Sequence, residues 1–194
     1  MIRVEVLTGA ALQDALPDVA RLRIGVFREW PYLYDGDTAY EERYLQSYAT
    51  SEGAIVVAAM DEDEIVGAAT GMPLRHHAEE FAGALDGSGL PLDNVFYCAE
   101  SVLLPEYRGK GLGHSFFDMR ENHARALGLG HSAFCAVIRD PDHPGRPEAY
   151  RPLDGFWRKR GYAPIPGAVA RFDWKEVGLA RPTTQSLQFW ARAL

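Results

Sequence analysis

The sequence predicts a mixed α/β fold, a single domain over residues 1–194 with about seven strands flanked by helices, in the order β-α-α-β-β-β-α-β-α-β-β. Three observations carry this reading. Residues 95–104 are almost wholly apolar on both alternating faces, the pattern of a strand buried on two sides. That run passes through Pro105 and a loop with glycines at alternate positions into a helical pattern. Upstream, residues 54–60 and 65–72 are two β-rich runs joined by an acidic turn at 61–64, a hairpin pattern.

From the N-terminus, Ile2, Val4 and Val6 alternate and mark a first strand. Thr8 or Gly9 opens a helix whose stripe (Leu12, Leu16, Val19, Val26, Phe27) is interrupted or restarted at Pro17. Six aromatics follow in a short span: Trp30, Tyr32, Tyr34, Tyr40, Tyr44 and Tyr48. Asp37 or Thr38 caps a second helix, with Glu41 at capping-box distance from Thr38, and Tyr40, Tyr44 and Tyr48 share one face of it. Residues 73–93 are a polar, glycine-containing connection with a short helix at 77–85.

After the strand at 95–104, Leu112, Phe116, Met119, His123 and Leu127 recur at helical spacing, and Gly128 is the stop. Residues 132–138 are another buried strand. Residues 140–151 form a proline-rich loop leading to a helix near 148–160 that Gly161 ends, and 169–174 and 187–190 are closing strands.

Composition narrows the function classes. No apolar run approaches the roughly 20 residues that span a bilayer, and the first residues lack the pattern of a signal peptide. Cys98 and Cys135 sit in apolar runs and are expected as buried free thiols, so a cytoplasmic location is expected and no metal site. Of 20 Lys+Arg and 27 Asp+Glu, residues 1–100 hold 6 and 18, and residues 101–194 hold 14 and 9. The acidic balance argues against nucleic acid as a partner, and the hydropathy against a membrane. The basic half beside an acidic half suits a phosphorylated ligand on one side and an amine on the other, or is plain surface charge without segregation in space.

The loop 106–113 joins a strand end to a helix start, where amides are unpaired and the dipole favours anions. Gly109, Gly111 and Gly113 let the backbone approach a ligand, and Arg108 and Lys110 add positive charge, a seat for phosphate; the alternative is a tight turn that binds nothing. The spacing is not that of a dinucleotide fingerprint, whose third glycine falls on His114, nor of a P-loop, since Gly111 follows Gly109-Lys110. The run Arg108-Gly109-Lys110-Gly111-Leu112-Gly113 resembles the R/Q-x-x-G-x-G/A motif of the GNAT acetyltransferase superfamily, and the element order fits that family over nearly the whole chain.

The resemblance implies a central splayed, mostly antiparallel sheet that opens between strands at 94–104 and 132–138. It implies acetyl-CoA as acyl-donor cosubstrate, the backbone of Val102 and Leu103 for pantetheine, and Gly109 to His114, including Leu112 and Gly113, for pyrophosphate. It also implies a small-molecule or peptide amine as acceptor; a homodimer is compatible with the sequence. In several members a glutamate five positions before the strand-ending proline is the general base, and Glu100 holds that spacing from Pro105. The tyrosine the family keeps four residues before the final helix's glycine is replaced by Trp157, and the position eleven before Gly161 is Tyr150, which leaves Tyr150 or water as the general acid.

On its own terms, Glu100 is the sharpest candidate. Strand alternation puts it on one face with Phe96, Cys98, Val102 and Leu104, where a charge is costly unless paired, hydrated or functional. Burial raises the pKa of such a carboxylate toward that of a useful base; the alternative is a structural carboxylate paired with an arginine. Trp30, Tyr32 and Tyr34, flanked by Glu29, Asp35 and Asp37, are candidates for holding a cationic acceptor, or are ordinary packing. His143 is a second base near the substrate entrance or a solvent-exposed loop residue; His76, His77 and His123 are expected at the surface, and Phe156, Trp157, Phe189 and Trp190 in the core. Two functions therefore stand: an acetyl-CoA-dependent N-acetyltransferase, and a non-catalytic acyl-CoA-binding sensor of the same fold.

Overall fold

The computed structural model describes residues 2–194, and the backbone alone for residues 78–80 and 82. Seven strands form one sheet in the order β1-β2-β3-β4-β5-β7-β6. They are β1 (Arg3–Leu7), β2 (Ile55–Asp61), β3 (Glu64–Pro73), β4 (Val95–Leu103), β5 (His131–Val137), β6 (Ala163–Trp174) and β7 (Thr183–Ala193). Every neighbouring pair is antiparallel except β4 and β5. Those two pair only through Val95–His131, Phe96–Ser132 and Tyr97–Ala133, and then part.

Helices α1 (Gly9–Phe27) and α2 (Thr38–Thr50) cover one face of the sheet, with Leu12, Val19, Leu22 and Leu45 packed on Val56, Ala58 and Val102. Helix α4 (Leu112–Ala126) covers the other, where Phe116 and Phe117 meet Val57, Phe96 and Phe134. Helices α3 (Ala78–Leu85) and α5 (Asp154–Lys159) are short. Among the described residues no helix is long and apolar enough to cross a membrane.

Several elements depart from the sequence expectation for physical reasons. Helix α1 runs unbroken through Pro17, which lies on its exposed face. The cap of α2 is Asp37, which accepts from the Tyr40 amide at 2.9 Å; this shifts Glu41 off the capping-box position and into the core. The last helix begins only at Asp154: Pro147 opens a turn in which the Tyr150 amide donates to its carbonyl at 3.0 Å, and Pro152 disfavours helix at the residue before it. Strand β6 is longer than expected: it is an edge strand, and a register shift between Pro164 and Val169 absorbs its prolines. On α4 the buried face includes Arg120 and Glu121, while Leu127 is exposed. His77 and His123 are packed rather than superficial: His77 lies against Phe81 and Tyr97, and His123 Nε2 meets the Gly53 carbonyl at 2.9 Å.

Candidate active site

Where β4 and β5 part, a cleft of about 1390 Å³ opens, walled by β4 from Cys98 to Leu103, by β5 and its continuation to Arg139, by the start of α4 and by residues 26–32. Its apex is tied by buried polar contacts: Cys98 Sγ lies 3.4 Å from Ser132 Oγ, to which the Tyr162 hydroxyl donates at 2.7 Å.

At one end stands the glycine loop. Gly109 and Gly111 have φ of +76° and +83°, conformations that glycine adopts without strain, and a side chain at either would point into open space. Gly111 is the N-cap of α4 and supplies no side-chain cap. Among the described residues, the amides of residues 109 to 113 have no hydrogen-bond partner. Consecutive unpaired amides at a helix N-terminus make an anion seat. Arg108 is not a free cation: its Nη1 pairs with Glu29 at 3.0 Å and its Nε donates to the Leu103 carbonyl at 3.0 Å. Lys110 is exposed, its Nζ 5.0 Å from the Tyr107 ring centroid. His114 lines the cleft, Leu112 is buried in the core and Gly113 faces Phe156.

Strand β4 carries a bulge. Its pairing with β3 slips by one residue between Ser101–Ala69 and Cys98–Gly71, so Ala99 and Glu100 together oppose Thr70. The slip inverts the alternation. Phe96 and Cys98 face α4, whereas Glu100 turns to the α1–α2 face with Val102; the sequence expectation that Glu100 shares a face with Phe96 and Cys98 is corrected by this extra residue. Arg120 of α4, 1% exposed, secures the bulge: Nη1 donates to the carbonyls of Thr70 (3.1 Å) and Glu100 (2.9 Å), and Nη2 to Ser101 Oγ (2.8 Å). Beyond the bulge, the Leu104 amide donates to Val66 of β3. Alternation then turns the backbone groups of Val102 to β3 as well, and leaves those of Ser101 and Leu103 facing the gap.

Glu100 is buried and ion-paired. Its Oε2 lies 2.7 Å from Arg23 Nη1 and accepts from the Tyr44 hydroxyl at 3.4 Å. Arg23 also pairs with Glu41, which accepts from the Tyr34 hydroxyl at 2.9 Å. Burial works against the Arg23 charge, but Glu100, Tyr44 and Glu41 more than offset it and hold its pKa well above the ordinary value. Glu100 Oε1 is buried, has no hydrogen-bond partner among the described residues, and belongs to a residue lining the cleft.

Trp30 and Tyr32 line the cleft; Tyr34 does not, being engaged by Glu41 and bridged to Glu176. Arg139 fixes this segment from the end of β5. It donates to the carbonyls of Pro31 and Tyr32 and pairs with Glu176, and its guanidinium lies 5.9 Å from the Trp30 ring. Tyr150 lines the cleft from the loop after β5, its ring edge-on to Trp30 at 5.9 Å, and burial pushes its phenol up. His143 sits against Trp30 at 5.1 Å outside the cleft wall, its Nδ1 accepting from the Gly145 amide. Trp157 lines the cleft, packed on Phe134 and Trp190.

Sequence reasoning missed Arg23, Arg120 and Arg139. Arg23 had a signal: it sits four residues after Val19 and three before Val26 on the apolar stripe of α1, where a charge needs a partner. Arg120 had the same, four residues after Phe116.

The sequence model of the Acetyltransferase (GNAT) family matches residues 22–147. No curated protein matches the chain. Among solved structures, the ribosomal-protein-alanine N-acetyltransferase of Brucella melitensis is similar over 99% of each chain, at 14% identity and a TM-score of 0.64. An N-acetyltransferase of Staphylococcus aureus Mu50 is similar over 100% of this chain and 98% of its own, at 10% identity and a TM-score of 0.61. The yncA protein of Salmonella typhimurium, solved with its cofactor acetyl-CoA, is similar over 100% of this chain and 94% of its own, at 13% identity and a TM-score of 0.60. At these identities the likeness is one of fold.

Proposed function

The chain belongs to the GNAT acetyltransferase family, and from that premise we propose that it transfers an acetyl group from acetyl-CoA to a primary amine of a small molecule or peptide by direct attack, with Glu100 as general base. The observation that carries the proposal is the row of unpartnered amides from Gly109 to Gly113 beside two strands that pair for only three residues.

The residues present suit acetyl-CoA. The seat at the head of α4 meets a diphosphate with backbone donors and the positive helix end. In the gap, the backbone groups of Ser101 and the amide of Leu103, whose carbonyl is taken by Arg108 Nε, suit the amides of a pantetheine arm as an added strand would; Val102, whose groups turn to β3, does not take that part. When bound, acetyl-CoA supplies an acyl group activated as a thioester.

Glu100 faces the α1–α2 side, from which an acceptor reaches the gap. Its Oε2 is held by Arg23 and Tyr44, so the carboxylate has a fixed orientation, and its Oε1 remains to accept a proton from an ammonium. Arg120 keeps the bulge that turns Glu100 this way. Tyr150 lines the cleft with its proton retained, and is the candidate to return a proton to the departing thiolate.

A second reading, a sensor that binds acyl-CoA without turnover, is favoured by the ion pair that already occupies Glu100 and by Trp157 at the tyrosine position. Calorimetric titration with acetyl-CoA together with thiol release over a panel of amines separates the readings. Saturable binding with turnover supports the transferase, binding with no turnover on any amine supports the sensor, and no binding removes both.

A further inference from the structure

Resting on the transferase reading and refining its acceptor, we propose that the amine is carried on a flat aromatic body with no anionic group of its own, the ammonium meeting Glu100 Oε1 and the body lying against Tyr32, Trp30 and Tyr150.

Glu100 is 5% exposed, and its Oε1 is buried without a donor on a residue that lines the cleft. A buried carboxylate oxygen in that condition calls for a donor, and a cation is the strongest one. Beside Glu100 the cleft wall is aromatic, lined by Phe27, Trp30, Tyr32 and Tyr150. The Arg23 guanidinium that pairs with Glu100 lies 5.2 Å from the Phe27 ring, and Phe27 meets Tyr32 at 4.4 Å with the rings tilted by 36°. Tyr32, Trp30 and Tyr150 line the same cleft as Glu100, and Tyr150 meets Trp30 edge-on at 5.9 Å. Trp30 Nε1 is buried without a partner, a donor for a ring face or a ring hydroxyl.

This wall is held by contacts within the protein itself. The Tyr32 carbonyl receives Arg139 Nη2 at 2.7 Å and Trp174 Nε1 at 3.1 Å, and the Val177 amide donates to Leu33 at 2.8 Å. The two arginines held against this wall are already paired with carboxylates. Arg23 is matched by Glu41 and Glu100, and Arg139 by Glu176. Arg146 and Arg151 stand only at the exposed rim, Arg146 over the Tyr150 ring at 5.9 Å with its Nη1 on the Pro141 carbonyl.

The test measures acetyl-CoA binding by calorimetry and then kcat/KM for phenethylamine, butylamine and phenylalanine. Phenethylamine is expected to exceed both others by roughly tenfold or more. Trp30→Ala, and separately Tyr150→Leu, are expected to narrow its advantage over butylamine. The assignment is overturned if butylamine is equal, if phenylalanine is preferred, or if acetyl-CoA binds and none of the three is acetylated. Failure of acetyl-CoA to bind would instead strike the transferase reading itself, and the acceptor assignment with it.

Discussion

Arg23 of α1 and Glu100 of β4 meet at 2.7 Å inside the protein, 8% and 5% exposed. A buried pair of this kind is costly to break from one side only, because the partner is left charged in a poor solvent. Arg23→Met strands two carboxylates, Glu100 and Glu41, and is expected to lower unfolding free energy by about 3 to 5 kcal/mol in urea titrations. Glu100→Gln keeps a polar group of the same shape. It is expected to retain acetyl-CoA affinity while turnover falls by about a hundredfold or more; unchanged turnover would remove Glu100 as the base.

Gly111→Trp puts a side chain at a φ of +83° and into the space over the α4 amides. Calorimetry is expected to show acetyl-CoA binding lost. Gly155→Ala is the control: this helical glycine has open space and no positive φ, so the change is expected to stabilise by roughly 0.4 to 1 kcal/mol and leave binding intact.

Arg139 lies away from the phosphate seat but holds the carbonyls of Pro31 and Tyr32. Arg139→Ala is expected to raise the acceptor KM by about tenfold or more through displacement of Trp30 and Tyr32. The dissociation constant for acetyl-CoA should be unchanged; equal damage to both would make Arg139 a general scaffold residue.

Alkaline pH should destabilise the fold. Burial pushes the Cys135 thiol up to about 12, and Cys98 in the same direction. Unfolded thiols ionise near about 8.5. Between those values the unfolded chain has lost protons that the native one keeps, so unfolding free energy falls as pH rises, by up to about 1.4 kcal/mol per pH unit for each thiol. Burial moves Tyr44, Tyr48 and Tyr97 the same way, which steepens the loss above about pH 10. Urea midpoints at pH 7, 9 and 10.5 check the trend, and both thiols should resist alkylation at pH 8 until urea is added.

The strand, glycine loop and helix from Val95 to Ala126 were legible because each is written locally: apolar on both faces, then a proline, then glycines, then a helical period. The facing of Glu100 was not. It depends on a bulge, and a bulge is set by which β3 residue lies opposite, a pairing no local pattern records. The aromatic segment was legible as a group, yet Tyr34 leaves the cleft for Glu41 while Trp30 and Tyr32 stay, a division fixed by Arg139 from far along the chain. Buried arginines escape a reading that sends charge to the surface, because their acceptors are carbonyls and carboxylates brought in by other elements.

Strands β4 and β5 share only three residue pairs before they diverge, so the sheet is an unfinished ladder at its centre. Whatever fills that space lends its binding energy to folding; at a hundred times its dissociation constant the gain is about 2.7 kcal/mol. Against a typical total of about 5 to 15 kcal/mol that is a large share. Resistance of the folded chain to urea and to proteases is therefore expected to rise with the concentration of whatever ligand occupies that gap.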